Sequence, residues 1–153
     1  MEPTIRPLSN EEKNMMEFHR DIAAKICKKY APEFDGTFNS KMLSTVFSNW
    51  LQSREEFVKE NYDMDFYAEK ERKVSAYMIK MCLGTVFGDI LNKEFQSEWK
   101  HVTDQYGEEI SIYHSGSKYA TFPYSSIQKR FESKELNFFQ AIEDTMRWNV
   151  QKK

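Results

Sequence analysis

Three histidines and two cysteines are the side chains of this sequence most suited to metal or nucleophilic chemistry. The histidines are His19, His101 and His114, and the cysteines are Cys27 and Cys82. No two of them stand four apart on a predicted helix, which is the spacing of a helical zinc pair. His101 and His114 fall on neighbouring predicted strands, where their rings could approach each other without a sequence-local acid or thiol. We predict no metal site and no catalytic residue, and leave open an enzyme site near the strand histidines.

Both cysteines are predicted to be structural. Cys27 follows His19 by eight residues on one predicted helix, which separates them by about 12 Å of helical rise. Cys82 lies in the most apolar stretch of the chain, where burial keeps a thiol protonated and unreactive. Buried thiols without a disulfide framework are typical of a reducing compartment. Since the sequence offers neither a signal-peptide core nor a run long enough to span a bilayer, we expect a cytoplasmic location and no membrane contact.

A short basic cluster follows the predicted strands. Gln128, Lys129 and Arg130 are consecutive, with Lys118 and Lys134 on either side. One interpretation is a nucleic-acid surface; the other, which we favour, is a helix end whose dipole is complemented by cations. The net charge of −2 and a pI near 6.0 weigh against a nucleic-acid binder. The five glycines form no phosphate-binding loop, so no cofactor is predicted.

The segment between residues 55 and 71 has the strongest signature of a binding surface. It holds seven acids and two bases, with aromatic residues among them. Aromatic anchors ringed by acids suit a basic protein partner, because the rings supply contact area and the acids steer the encounter. The alternatives are an ordinary helix face with its rings turned inward and a metal-binding pair at Asp63 and Asp65. The predicted partner-binding residues are Glu60, Tyr62, Asp63, Asp65, Phe66, Tyr67 and Glu69.

Local signals predict the N-terminal elements. Residues 1–8 contain two prolines and form an extended lead-in. Ser9 and Glu12 make a capping box in front of a first helix, which Pro32 should end. Asn39 or Ser40 can cap a second helix, which extends into the acidic segment and is followed by a loop.

A long third helix is predicted from about residue 67 to residue 95. It is apolar almost all round in its middle, which indicates a central helix covered on several sides. Gly84 and Gly88 lie on the same face of it. Because a glycine inside a helix costs about 1 kcal/mol relative to alanine, the pair indicates that another backbone packs closely there.

The second half of the chain changes to short stretches of β-forming residues. Three antiparallel strands are predicted at 99–104, 110–114 and 119–122, with a glycine in each of the two turns between them. A short helix then runs from Pro123 to Arg130, and a last helix covers about 137–150. We therefore predict one α+β domain over residues 1–153: N-terminal helices, a three-stranded antiparallel meander and C-terminal helices.

One set of motifs resembles a known family. Gly84-x-x-x-Gly88 is followed by Trp99, by Tyr106-Gly107-Glu108 and by Phe122-Pro123-x-x-x-Ile127-Gln128-Lys129-Arg130. Over residues 74–135 this pattern resembles the bacterial DUF3806 family, a domain of unknown function. Its members have a glycine-containing helix, a tryptophan that opens a strand, and a proline followed by a Gln-Lys-Arg-like step. The resemblance implies an α+β fold and no known reaction, cofactor or catalytic residue. Its structural motif residues here are Gly84, Gly88, Trp99, Pro123, Gln128, Lys129 and Arg130.

These observations favour a non-catalytic protein that works by binding another protein. The most concrete form is an immunity-like protein that neutralises a cognate bacterial toxin, since small bacterial proteins of this type often serve near toxin systems. An enzyme of unknown reaction and a weak nucleic-acid module are the alternatives. A homodimer through leftover apolar surface is left open.

Overall fold

The computed structural model describes residues 2–61, 66–69 and 72–151. Four of its strands, Thr4–Arg6 (β1), Glu98–Asp104 (β4), Gly107–His114 (β5) and Tyr119–Thr121 (β6), form an antiparallel sheet in that order, and Phe66–Glu69 (β2) pairs with Arg72–Val74 (β3) in a separate hairpin. The predicted α+β fold, with helices at both ends and strands in the middle, is confirmed. The elements are β1 (Thr4–Arg6), α1 (Asn10–Tyr30), α2 (Ser40–Asn61), β2 (Phe66–Glu69), β3 (Arg72–Val74), α3 (Ala76–Phe95), β4 (Glu98–Asp104), β5 (Gly107–His114), β6 (Tyr119–Thr121), α4 (Pro123–Ser133) and α5 (Phe139–Gln151).

The start of α1 is fixed by the predicted capping box. The Ser9 hydroxyl accepts from the Glu12 backbone N–H at 3.1 Å, and the Glu12 carboxylate accepts from the Ser9 N–H at 2.8 Å. Arg6 binds the same carboxylate at 3.1 Å, and these hydrogen bonds lower the pKa of Glu12 to about 2. The helix ends at Tyr30, two residues before Pro32, as predicted.

The boundaries of α2 and α3 follow their caps. Asn39 accepts from the Met42 N–H at 2.8 Å, and α2 continues into the acidic segment as far as Asn61. The loop predicted after it falls on residues 62–65, outside the described residues. The prediction that α3 begins near residue 67 is wrong, because the hairpin β2–β3 occupies that stretch. Ser75 caps α3 instead, accepting from the Met78 N–H at 3.1 Å.

The meander is present as predicted and gains a fourth strand. The lead-in residues form β1, which pairs with β4 and places Ile5 opposite Val102. The turn between β4 and β5 uses Gly107 at a φ of +128°, a conformation that favours glycine. In the turn between β5 and β6 the left-handed residue is Lys118, at a φ of 59°, and not the predicted glycine, Gly116.

The core is organised around α3, which contacts α1, α4 and the sheet. Among the helices of the described residues, none is both long and apolar enough to cross a membrane. Among the described residues, the largest side chains that are almost completely buried in the core are Phe47, Trp50, Phe87, Phe139, Ile26, Leu43, Leu83, Leu91, Ile112, Ile127 and Met146.

The glycine face of α3 is closely packed, but by rings and not by the backbone that the sequence indicates. A Cβ atom on Gly84 would lie 2.5 Å from Cδ1 of Tyr124. A Cβ atom on Gly88 would overlap the six-membered ring of Trp99 and lie 3.0 Å from Cδ1 of Ile112. Real Cβ atoms do not approach other atoms so closely, so glycine is required wherever these rings pack flat on the helix.

Replacing Gly88 by alanine tests this packing. We expect Gly88→Ala to lower the free energy of unfolding by about 1–3 kcal/mol, because overpacking exceeds the roughly 1 kcal/mol that alanine gains in a helix. In a Trp99→Leu background the same change should cost little or become stabilising, since the ring is gone. A double-mutant cycle from urea denaturation measures the difference, and equal costs in both backgrounds would contradict the ring contact.

Candidate functional site

Two stacked aromatic rings join β4 and α4 above the glycine face of α3. The rings of Trp99 and Tyr124 lie 5.6 Å apart at their centroids with an interplanar angle of 25°. Gly84 and Gly88 make room for them, and Pro123 starts α4 immediately before Tyr124. The family-like residues at these positions therefore meet at one place in the fold.

A charged pair holds the tryptophan side of this cluster. The Trp99 indole N–H donates to Oδ1 of Asp89 at 3.0 Å. Arg20 of α1 binds the same carboxylate at two points, Nε to Oδ2 at 2.7 Å and Nη2 to Oδ1 at 2.9 Å. A bidentate, charge-assisted pair is stronger and more directional than a single neutral hydrogen bond. It raises the pKa of Arg20 and ties α1, α3 and β4 together.

A buried chain of hydroxyl and imidazole groups holds the tyrosine side. Thr85 Oγ1 lies 2.7 Å from the Tyr124 hydroxyl and 2.9 Å from Nδ1 of His19. Because the Thr85 hydroxyl donates to the Met81 carbonyl at 3.0 Å, its oxygen must accept from both neighbours. The bonding assigns a proton to Nδ1 of His19, and the lowered pKa of the ring keeps it neutral at neutral pH. Burial, and secondarily the charge of Arg20, lowers the pKa of His19, and burial raises the pKa of Tyr124 to about 12.

A groove between α3 and α4, which we call the α3–α4 groove, opens beside Tyr124. Its volume is about 320 Å³. Three of its residues come from α3, two from β5 and three from α4, and the ring of Tyr124 forms one wall. Its lining consists of Tyr77, Lys80, Met81, Glu109, Ile110, Tyr124, Ser125 and Gln128.

Glu109 forms the end of this groove and caps α4. Phe122 at the N-cap position makes no side-chain hydrogen bond to the helix. The Glu109 carboxylate of β5 accepts from the Ser125 N–H at 3.3 Å and from the Ser125 hydroxyl in a short hydrogen bond. A negative charge at a helix N-terminus is favourable, so β5 supplies the cap that the local sequence lacks.

The basic cluster is divided among different contacts. Gln128 accepts from Lys80 at 2.5 Å, and Lys129 lines a groove of about 510 Å³ that also contains three acids. Arg130 lies 3.1 Å from Glu135 and over the ring of Phe138. The three α4 residues therefore lie in three different surroundings, and Arg130 stands in the last turn of α4.

The two strand histidines, whose approach the sequence leaves open, lie apart in the structure. His101 pairs with Ile110 across β4 and β5, whereas His114 lies four residues farther along β5, about 14 Å away at the rise of a strand. His114 bonds to Ser117 within its own turn at 2.7 Å. Within the described residues no group of three or more His, Cys, Asp or Glu side chains is placed to hold a metal ion.

Both cysteines are buried and free, as predicted. Burial raises the pKa of Cys27 and of Cys82 to about 12. Because the thiolate is the reactive form of cysteine, neither thiol is activated at neutral pH.

The predicted partner-binding residues lie between α2 and β3. Glu60 belongs to the last turn of α2, and Phe66, Tyr67 and Glu69 belong to β2. Tyr62, Asp63 and Asp65, and with them the alternative metal pair, lie outside the described residues.

A family model described as a domain of unknown function, DUF3806, matches residues 57–142. The chain belongs to the DUF3806 family. The match extends the predicted segment of 74–135 on both sides, so that in this DUF3806 chain it covers the hairpin, α3, the meander and α4. No curated protein and no solved structure matches the chain significantly.

Sequence reasoning missed Arg20, Asp89, Thr85 and Glu109. Arg20 and Asp89 are 69 residues apart, and Glu109 and Ser125 are 16 apart on different elements. One signal was available: Asp89 and Thr85 are polar residues inside the otherwise apolar middle of α3, where a buried polar group requires a partner.

The cap on α4 gives the first prediction from this site. We expect Glu109→Ala to lower the free energy of unfolding by about 1–2 kcal/mol, because it removes both the cap and a charge-assisted bond. Glu108→Ala is the matched control, since that neighbouring side chain is exposed, and it should stay within about 0.5 kcal/mol of the wild type. Thermal unfolding of both variants compares them, and equal losses would contradict the capping role.

Buried His19 gives a pH dependence of stability. Its pKa is depressed in the folded protein, so below its unfolded value of 6.5 the unfolded chain takes up a proton that the folded chain refuses. The contribution of the neutral His19 ring to the free energy of unfolding is therefore full above pH 6.5. It is lost as the pH falls below that value, by at most about 1.4 kcal/mol per pH unit for one proton. Urea denaturation between pH 7.5 and 5.5 should show a steeper loss for the wild type than for His19→Gln; parallel curves would contradict the buried neutral ring.

Proposed function

We propose that this protein acts by binding a protein partner through the acidic segment, and that its specific form is an immunity-like protein that neutralises a basic toxin domain. The contact surface in this proposal combines residues from the end of α2, from the first strand of the hairpin and from the stretch of sequence between them. It comprises Glu60, Tyr62, Asp63, Asp65, Phe66, Tyr67 and Glu69.

The observation that carries the proposal is the position of the β2–β3 hairpin. It forms its own two-stranded sheet and does not join the four-stranded sheet. An isolated two-stranded hairpin is marginally stable in water, and this one is supported by contact with α1. Segments held on a rigid scaffold outside the core sheet are common places for binding residues.

The negative charge of the acidic segment favours a partner with a basic surface. The stretch from residue 55 to residue 71 carries seven acids and two bases, although the net charge of the whole chain is only −2. This concentration of negative charge attracts a basic surface and speeds its association. Tyr62, Phe66 and Tyr67 are aromatic residue types, which are enriched among the hot spots of interfaces.

A role in binding also agrees with the protonation states of the two cysteines and of His19. The pKa values of Cys27 and Cys82 are raised to about 12, and the neutral ring of His19 is bonded inside the core. These groups stabilise the fold in the forms that are least reactive. A binding protein of this kind needs a rigid body and a complementary surface, and no chemistry of its own.

The test is binding of the product of the gene adjacent to that of this chain, measured by surface plasmon resonance. We expect Asp63→Lys with Asp65→Lys to slow association by roughly tenfold or more at low salt, because the steering charges are reversed. The matched control is Asp21→Lys with Glu33→Lys, which makes the same change in net charge at two exposed positions.

The two variants distinguish an effect of the proposed contact surface on binding from an effect of net charge alone. Slower association of the first variant alone supports the proposed contact surface. Equal slowing of both assigns the effect to net charge, and unchanged rates in both contradict the surface. If the wild-type protein neither binds the adjacent product nor suppresses its toxicity on co-expression, the immunity-like role is wrong.

A further inference from the structure

Lys80 occupies an unusual position in the α3–α4 groove. Its aliphatic stem leaves α3 between Tyr77 and Met81, and its ammonium lies 4.2 Å from the centroid of the Phe131 ring. Its hydrogen-bond acceptor is the neutral amide oxygen of Gln128 at 2.5 Å. The Lys80 ammonium therefore lies beside an apolar groove, and its hydrogen-bond acceptor is uncharged.

The ammonium has unused bonding capacity. A lysine ammonium has three N–H donors, and Gln128 takes one of them. None of the ion pairs among the described side chains includes Lys80. The nearby carboxylate of Glu132 accepts instead from the Gln128 amide nitrogen at 2.9 Å.

The surroundings of Lys80 favour an added anion. Loss of water lowers its pKa, the charge of Arg54 lowers it further, and Glu132 opposes both. An anion bound directly to the ammonium would replace lost hydration and stabilise the charged form. Because the walls are apolar, such a contact is stronger than the same pair on an open surface.

The walls of the groove are suited to an aromatic ring. Met81, Ile110 and the ring of Tyr124 form them, and Tyr77 stands at the mouth with 65% of its surface exposed. Thioether and aromatic groups both make favourable contacts with a ring. The Tyr124 wall is held in place by its stacking on Trp99 and its bond to Thr85, so the site is largely formed in advance.

A second charged residue of the groove restricts the charge of the ligand. Glu109 also lines the groove, where its two bonds to Ser125 hold its carboxylate in place. A second anionic group beside Glu109 would meet repulsion, so a ligand with a single anionic group fits best. The volume of about 320 Å³ lies at the lower end of small-molecule sites, roughly 300–1,000 Å³.

We propose that the α3–α4 groove is a binding site for a small aromatic monocarboxylate, with the carboxylate on Lys80 and the ring between Tyr77, Met81 and Ile110. None of the lining residues belongs to the acidic segment, and the proposal does not depend on the proposed protein partner.

Two probes of the same shape test the proposal: 2-naphthylacetate, which is anionic, and 2-naphthylacetamide, which is neutral. Binding is followed by ¹H–¹⁵N chemical shifts of the full chain. We expect the acid to bind with a Kd of about 1 mM or tighter, as ligand efficiency suggests for its size. The amide should bind at least about tenfold more weakly, and the largest shifts should fall on Tyr77, Lys80, Ile110 and Ser125.

Three variants test whether Lys80 makes the contact with the carboxylate of the probe. Lys80→Met keeps most of the stem and removes the charge, so its affinity for the acid should fall to that of the amide, whereas Lys80→Arg should retain most of the binding. Lys100→Met is the matched control, because Lys100 lies in a different groove beside Trp99 and pairs with Glu98 at 3.2 Å. A dispersed spectrum of each free variant shows that it folds.

Several outcomes would overturn the proposal. They are equal affinities for the acid and the amide, an unchanged affinity in Lys80→Met, an equal loss in Lys100→Met, or shifts centred away from the groove. Failure of the acid to bind at 5 mM probe, about five times the expected Kd, would also contradict it. None of these results bears on the acidic segment, so the two proposals fail independently.

Discussion

The stacking of Trp99 and Tyr124 on the glycine face of α3 is the contact on which the rest of the structure depends. Trp99 belongs to the meander and Tyr124 to α4, so a single ring pair joins both halves of the C-terminal region to the central helix. Each ring is also held by a polar group of α3, the indole by Asp89 and the phenol by Thr85. Because those two groups bond to Arg20 and His19 of α1, the same cluster orients the N-terminal helix.

Burying polar groups in this way has a cost that is offset only when every donor and acceptor is matched. The matching is good here: the threonine hydroxyl has one donor bond and two acceptor bonds, and the aspartate binds a guanidinium and an indole. A partly satisfied version of the network would be worse than an apolar core. The arrangement therefore favours one relative orientation of α1, α3, β4 and α4, and it leaves the wall of the α3–α4 groove in a defined position.

The sequence predicted correctly the features that depend on residues close together in the chain, and missed those that depend on tertiary contacts. The capping box at Ser9, the end of α1 and the meander came from local patterns, and they are confirmed. The β2–β3 hairpin was missed because its strands have only four and three residues, too few for alternation to outweigh a helical pattern. The glycine spacing predicted close packing correctly, but not which groups pack, since Trp99 and Tyr124 reach α3 through tertiary contacts. The Glu109 cap could not be predicted either, because Glu109 reaches Ser125 through a tertiary contact.

The edges of the four-stranded sheet have a consequence for how any other chain can attach. The outer strands β1 and β6 have three residues each, and prolines stand close to them at positions 3, 7 and 123. Proline has no backbone N–H, and a strand of three residues offers few groups for a new ladder. An incoming strand would therefore find few backbone groups to pair with on β1 or β6 themselves. Any contact with another chain at these two outer strands would depend on side chains and surface shape more than on backbone pairing.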